Sequence, residues 1–193
     1  VYENPPASYW RASREPSDAT ETTAQLFLGV RIQCAKCHNH PFERWTQDNY
    51  YGIAAAFARV GRKNSPDADD EVIFVKPDGE VTQPRTGQTM KVHLLLSGDV
   101  DVPPEVDRRR VFADWLTRPD NPFFARSLVN RFWGHLLGRG IVEPVDDFRD
   151  SNPPTNVPLL DELARQFVAH GYSRKWLLRT ILNSHTYPRS ART

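Results

Sequence analysis

The chain has 193 residues, 39% hydrophobic and 25% charged, which suits one large or two small folded domains. Its 25 Lys and Arg nearly cancel its 24 Asp and Glu, so nothing in the charge points to a nucleic-acid partner and none is expected. No apolar run approaches the ~20 residues that span a bilayer, so no transmembrane segment is expected either.

The 16 prolines exceed the usual ~5% share and argue for long connections between short elements. The chain starts at Val1, beside Asn4-Pro5-Pro6, and stops at Arg189-Ser190-Ala191-Arg192-Thr193. This reads as a fragment or a processed chain, so the lack of a signal peptide says nothing about export. Asp18-Ala19-Thr20-Glu21 has the spacing of a capping box. Behind it Ala24, Phe27, Leu28 and Arg31 recur at helical spacing, with Leu26, Val30 and Ile32 widening the apolar face; a helix running directly into Cys34 is expected. Pro41 blocks continuation past His40. A second helix is expected from Thr46, with Tyr50, Ile53, Ala54 and Phe57 on one face.

Residues 61–70 have loop composition. Val72 to Val75 and Val81-Thr82 flank Lys76-Pro77-Asp78-Gly79-Glu80, and Asp-Gly between β-branched runs suggests a hairpin. With Met90 to Leu96 as a further strand, residues 71–97 read as a small β insert. From Val106 the helical pattern returns, first over Val111, Phe112, Trp115 and Leu116. A helix starting near Pro122 buries Phe124, Leu128, Phe132 and Leu136 and ends at Gly138-Arg139-Gly140. Its polar stripe is Arg126, Ser127, Asn130, Arg131, Gly134 and His135, expected to meet the Asp146–Asp150 loop. Leu159, Leu160, Leu163, Ala164, Phe167 and Val168 define another helix, closed by Gly171. Ser173 caps a last one carrying Leu177, Leu178, Ile181 and Leu182. Trp115, Phe132, Trp133, Leu160, Leu163, Phe167, Leu178 and Ile181 are the expected core of this part. The fold class is mainly α: a helical N-terminal segment (1–60), a linker with the β insert (61–104) and a C-terminal four-helix module (105–193).

Only two cysteines occur, three positions apart, in Cys34-Ala35-Lys36-Cys37-His38. C-x-x-C-H is the signature of c-type haem attachment. Two thiols at this spacing can add to the two vinyl groups on one porphyrin edge, and the adjacent His38 can reach the iron as proximal ligand. Phe42 and Trp45 are close enough in sequence to cover a haem face. Two other chemistries use the same residues. Cys34, Cys37, His38 and His40 are a Cys2His2 donor set for zinc, although ligands packed into seven residues make poor tetrahedral geometry. A thioredoxin-like C-x-x-C belongs beside a βαβ pattern, which this sequence lacks. Met90, the only methionine, and His40, His93, His135, His170 and His185 are the candidates for a distal ligand. Glu143, Asp146, Asp147, Asp150 and Asn152 could hold calcium, but they lack EF-hand spacing, so caps and salt bridges to Arg139, Arg149 or Arg126 are expected instead. No G-x-S-x-G, phosphate loop or paired-carboxylate signature is present.

The stretch from Thr23 to Gln47, centred on Cys34-Ala35-Lys36-Cys37-His38-Asn39-His40-Pro41-Phe42, closely resembles the planctomycete cytochrome-c-like domain family of unknown function. Phe112-Ala113-Asp114-Trp115-Leu116, Asn121-Pro122-Phe123-Phe124-Ala125-Arg126, Leu128-Val129-Asn130-Arg131, Gly134-His135, Gly138-Arg139-Gly140-Ile141-Val142-Glu143-Pro144 and Asp146-Asp147-Phe148-Arg149-Asp150-Ser151-Asn152-Pro153-Pro154 resemble the companion domain that follows it in the same large proteins. The resemblance implies an exported, periplasmic or envelope protein of a planctomycete-type bacterium lacking the start of its first domain, and it supplies no activity. The reading that results is a haem c electron-transfer or redox-sensing module, partnered by a redox protein or by other domains of the same large protein. The competing reading is a structural or binding module with zinc at the Cys/His site.

Overall fold

A computed structural model of the chain describes residues 5–66 and 70–189. Asn4, residues 67–69 of the expected loop, and Ser190 to Thr193 lie outside the described residues. Among those described, the chain is mostly helical, with seven α-helices and two small two-stranded antiparallel sheets. It divides into two compact units: Val1–Thr23 with Ile32–Trp115, and Ala24–Arg31 with Leu116–Thr193. These units cut across the segments 1–60, 61–104 and 105–193 expected from the sequence.

In the first unit α1 spans Ser8–Ala12 and α2 spans Pro16–Thr23. Helix α2 starts two residues before the expected capping box. Proline's fixed φ suits a first helical position, and Asp18 Oδ2 accepts the Glu15 N–H at 3.0 Å from inside the first turn. Nor does the helix run on into Cys34. The chain widens into a π-helix at Ala24–Leu28 and stops at Gly29, whose φ is +68°. A Cβ there would sit 2.7 Å from the Phe148 ring, so close approach and positive φ both call for glycine. Leu26 and Phe27, expected on the buried face, are exposed.

Helix α3, Gln47–Phe57, forms as its pattern predicts. Thr46 Oγ1 accepts the Asn49 N–H at 3.2 Å while Asn49 Oδ1 accepts the Thr46 N–H at 2.9 Å, a reciprocal capping box. Tyr50, Ile53, Ala54 and Phe57 are all buried. Burying a side chain such as Ile53 contributes ~1.5–3 kcal/mol.

The β insert is wired differently from expectation. Strand β1, Val60–Asn64, lies largely in the stretch with loop composition, and it pairs with β2, Glu71–Val75. Asp78-Gly79 is therefore not the hairpin turn. Gly61 makes the pairing possible, because a Cβ there would meet the Phe74 ring at 2.6 Å. Val81-Thr82 forms no strand; Thr82 makes an isolated bridge with Thr89. Strand β3, Val92–Leu94, pairs with β4, Gly98–Val100.

Helix α4, Arg108–Leu116, corrects the four-helix module, since up to Trp115 it belongs to the first unit. The Phe112 ring lies 5.7 Å from that of Phe57, Trp115 Nε1 donates to Ser97 Oγ at 3.1 Å, and Arg108 grips both oxygens of Glu80 at 2.8 and 2.9 Å. Local periodicity shows that α4 is amphipathic, but not which core receives its apolar face.

The second unit keeps α5 (Phe124–Leu137), α6 (Val157–Ala169) and α7 (Arg174–Leu182), together with the Ala24–Arg31 segment. Their ends follow the sequence signals. Gly138 closes α5 at φ +78°, Asn156 Oδ1 caps α6 through the Leu159 N–H, and Ser173 Oγ caps α7 through the Trp176 N–H. Val129, Leu160, Leu163, Ala164, Phe167, Leu177 and Ile181 form the core, while Phe132, Trp133 and Leu178, expected within it, are only half-buried.

Candidate functional site

The C-x-x-C-H motif starts on a 3₁₀ turn, Gln33–Lys36, in the first unit, with Cys37 as its C-cap and His38 just beyond. Side chains three apart on a 3₁₀ turn eclipse one another. Ile32 and Ala35 point inward, both fully buried, and anchor the turn. Cys34 and Cys37 fall in a different phase of that period and are exposed, free thiols. The Ala35 N–H bonds the Ile32 carbonyl at 2.9 Å, and the Cys37 and His38 N–H groups both reach the Cys34 carbonyl, at 3.3 and 3.4 Å.

Helix α3 holds this turn from behind. Gln47 Nε2 and Tyr51 Oη both donate to the Lys36 carbonyl, at 3.2 and 2.9 Å, and the Gln47 N–H donates to Asn39 Oδ1 at 3.1 Å. Lys36 Nζ lies 3.6 Å from Glu21, whose carboxylate also accepts the Tyr50 hydroxyl at 2.7 Å. Burial and then the Glu21 carboxylate push the Tyr50 phenol far above its ordinary value. Burial, and then the neighbouring Cys37, raise the Tyr51 phenol as well, against the opposing Lys36 ammonium.

His38 is exposed, and its Nδ1 lies 2.7 Å from the Asn39 carbonyl. A carbonyl only accepts, so Nδ1 carries the hydrogen, the tautomer that in the neutral ring leaves the lone pair on Nε2 for a metal. His40 is engaged within its own loop: Nδ1 accepts the Phe42 N–H at 3.2 Å and its backbone N–H donates to the Trp45 carbonyl at 2.8 Å. Among the described residues, no three His, Cys, Asp or Glu side chains are grouped to hold a metal ion. Phe42 is 79% exposed, whereas Trp45, expected to cover a haem face, is buried in the protein core.

Of the other candidate distal ligands, His93 and His170 are engaged elsewhere. Met90 lines a cavity of about 280 Å³ with Glu80, Val92, Val100 and Arg108, and none of Cys34, Cys37 or His38 borders it. His93 uses both ring nitrogens, Nε2 accepting from Asn49 at 3.0 Å and Nδ1 donating to Asp99 at 2.7 Å. His170 donates through Nδ1 to the Gln166 carbonyl and stacks on Trp176. His135 and His185 are exposed.

The oxygen-rich loop of the second unit is occupied by its own chain. Glu143 accepts the Gly140 N–H at 2.8 Å, Asp147 pairs with Arg149 at 2.9 Å, and Asp146 takes Gln25 at 2.5 Å and Arg31 at 2.6 Å. Arg149 thus fulfils the expectation, whereas Arg126 pairs with Asp161. The polar stripe of α5 meets residues 142–145 through Asn130 and the Gln25 carbonyl through Arg131. Sequence reasoning missed Gln47 and Tyr51; their i, i+4 spacing from the start of α3 is the one signal that could have found them.

Residues 4–62, which include the C-x-x-C-H turn, match the family PSCyt2, Protein of unknown function (DUF1549). Residues 108–193 match PSD1, Protein of unknown function (DUF1553). Both are planctomycete-associated domains of unknown function. No curated protein and no solved structure matches the chain. Among the described residues, no helix is long and apolar enough to cross a membrane.

Proposed function

We propose that this chain is a c-type haem-binding electron-transfer or redox module of a large exported protein. What supports the reading is one arrangement: a 3₁₀ turn carries Cys34 and is closed by Cys37, both exposed thiols, and is followed by His38, whose Nδ1 is committed to the Asn39 carbonyl. This donor set fits haem c, with two thiols for the vinyl groups and an Nε2 lone pair for the iron. Bound haem supplies one-electron chemistry at its iron. The chain's own residues do the rest. Cys34 and Cys37 would tether the group and His38 would ligate its iron, and the exposure of these residues leaves the site open to a partner. Attachment needs reduced thiols and haem together outside the cytoplasm, so the module belongs in the periplasm or envelope. Its electron partner is a separate protein or another domain of the same chain.

A pyridine haemochrome assay tests this on protein exported from cells that mature c-type cytochromes. One haem per chain is expected, resistant to denaturing electrophoresis and absent from the Cys34→Ser, Cys37→Ser double variant. Colour surviving in that variant would overturn it. Zinc at Cys34, Cys37, His38 and His40 is the competing reading, and the engagement of His40 in its own loop weighs against it. An intense Soret band separates haem from zinc.

A further inference from the structure

We infer that the haem-attachment turn is already set in the folded apoprotein, and that Tyr51, with Gln47, is the positioning residue that sets it. This rests on the haem reading for its purpose, but not for its geometry.

Two observations carry it. First, the core behind the turn is closed by the chain alone: Ile32, Ala35, Tyr50 and Ile53 are all fully buried, and Trp45 is buried as well. A fold of this kind does not need a porphyrin to complete its interior. Second, the Lys36 carbonyl, between the two cysteines, accepts two side-chain hydrogen bonds from consecutive turns of α3. One comes from Gln47, whose backbone N–H also holds the side chain of Asn39, the residue whose carbonyl meets His38 Nδ1. A single such bond adds little net stability, too little to decide folding but enough to decide how a short exposed turn is populated.

Attachment itself asks little more of the protein. Each thiol adds across one vinyl group: an S–C bond forms, the vinyl π bond is lost, and the thiol hydrogen ends on the terminal vinyl carbon. No oxidant or reductant is consumed. What the chain supplies is two thiols held at one spacing, a gain in effective concentration of the second thiol once the first has reacted.

The test uses the full chain prepared without haem, with phenylarsine oxide, which bridges two thiols, as the probe. Wild-type apoprotein is expected to unfold cooperatively, with a Tm within a few degrees of the Cys34→Ser, Cys37→Ser variant, and to bind the arsenical at 1:1. Tyr51→Phe, which removes only the hydroxyl, should keep the far-UV spectrum and nearly the Tm, yet weaken arsenical binding several-fold and speed amide exchange at Cys37 and His38. Gln47→Ala should do the same, and the double variant should be weaker than either. An apoprotein without a cooperative transition overturns the inference, as does wild-type arsenical affinity in Tyr51→Phe. If the arsenical results hold but no haem attaches to wild type on export, the haem reading fails and the positioning role stands.

Discussion

Arg31 donates to Asp146 Oδ1 at 2.6 Å, joining residues 115 positions apart in the chain. Gln25 donates to the other oxygen of the same carboxylate at 2.5 Å. One side chain thereby holds the Ala24–Arg31 segment to the second unit, beside the 2.8 Å backbone bond from the Phe148 N–H to the Gly29 carbonyl. Burial pushes the Asp146 carboxyl up, but the hydrogen bonds from Gln25 and Arg31 and the Arg31 charge outweigh it and hold the group below the usual carboxylate range. A lowered folded-state value means stability that is fully present above the unfolded value, near ~3.9, and lost as pH falls through the folded one. Asp146→Asn should cost ~1–2 kcal/mol at neutral pH, discounted for the half-exposed Arg31. It should also flatten the acid limb of stability below about pH 4. Urea unfolding at pH 7 and at pH 3 checks both; equal acid slopes in variant and wild type would remove Asp146 from the account.

Asn130 is fully buried in α5 and makes three hydrogen bonds, donating to the Val142 and Val145 carbonyls and accepting from the Val142 N–H. Asn130→Leu leaves these backbone groups unpaired, at ~1–3 kcal/mol for each that stays buried. The second unit should therefore lose stability well beyond a surface substitution, with faster amide exchange at Val142. A loss below ~1 kcal/mol would mean that water takes over the Asn130 bonds.

Two substitutions probe the cores. Leu163, 8% exposed, faces Leu160, Phe167 and Leu177, and Leu163→Asp places an unpaired charge among them at a cost of several kcal/mol. Gly52 on α3 lies so close to β3 that an added Cβ would overlap the Cβ of His93. Gly52→Ala should displace β3 and lower Tm by several degrees, although alanine favours helix by ~1 kcal/mol. A Gly52→Ala protein as stable as wild type would show that β3 moves away at no cost.

His38 and His40 should separate spectroscopically in haem-loaded protein. His38→Ala removes the Nε2 donor that follows Cys37 and should shift the Soret band and loosen the iron. His40→Ala removes only the acceptor for the Phe42 N–H, so the haem spectrum should hold while the 40–45 loop exchanges faster. Identical spectra for His38→Ala and wild type would deny His38 its role as proximal ligand.

Much of this protein is written locally. The helix start at Thr46, the Gly138 and Ser173 helix ends, the apolar faces of α3 and α6 and the C-x-x-C-H donor set all depend on residues within a turn or two of one another, so spacing alone determined them. Tertiary contacts decided what spacing leaves open. Gly29 ends the first long helical pattern because the Phe148 ring lies against it, a neighbour more than a hundred residues away. Gly61 lets β1 pair under Phe74, turning a stretch of loop composition into a strand. Helix α4 joins the first unit because Phe57, Ser97 and Glu80 receive Phe112, Trp115 and Arg108. At the site, the sequence named Cys34, Cys37 and His38, but not Tyr51 and Gln47, whose bonds to the Lys36 carbonyl exist only once α3 packs behind the turn. A side chain's reach across space has no signature in its neighbours along the chain, whereas a cap or a periodic face does.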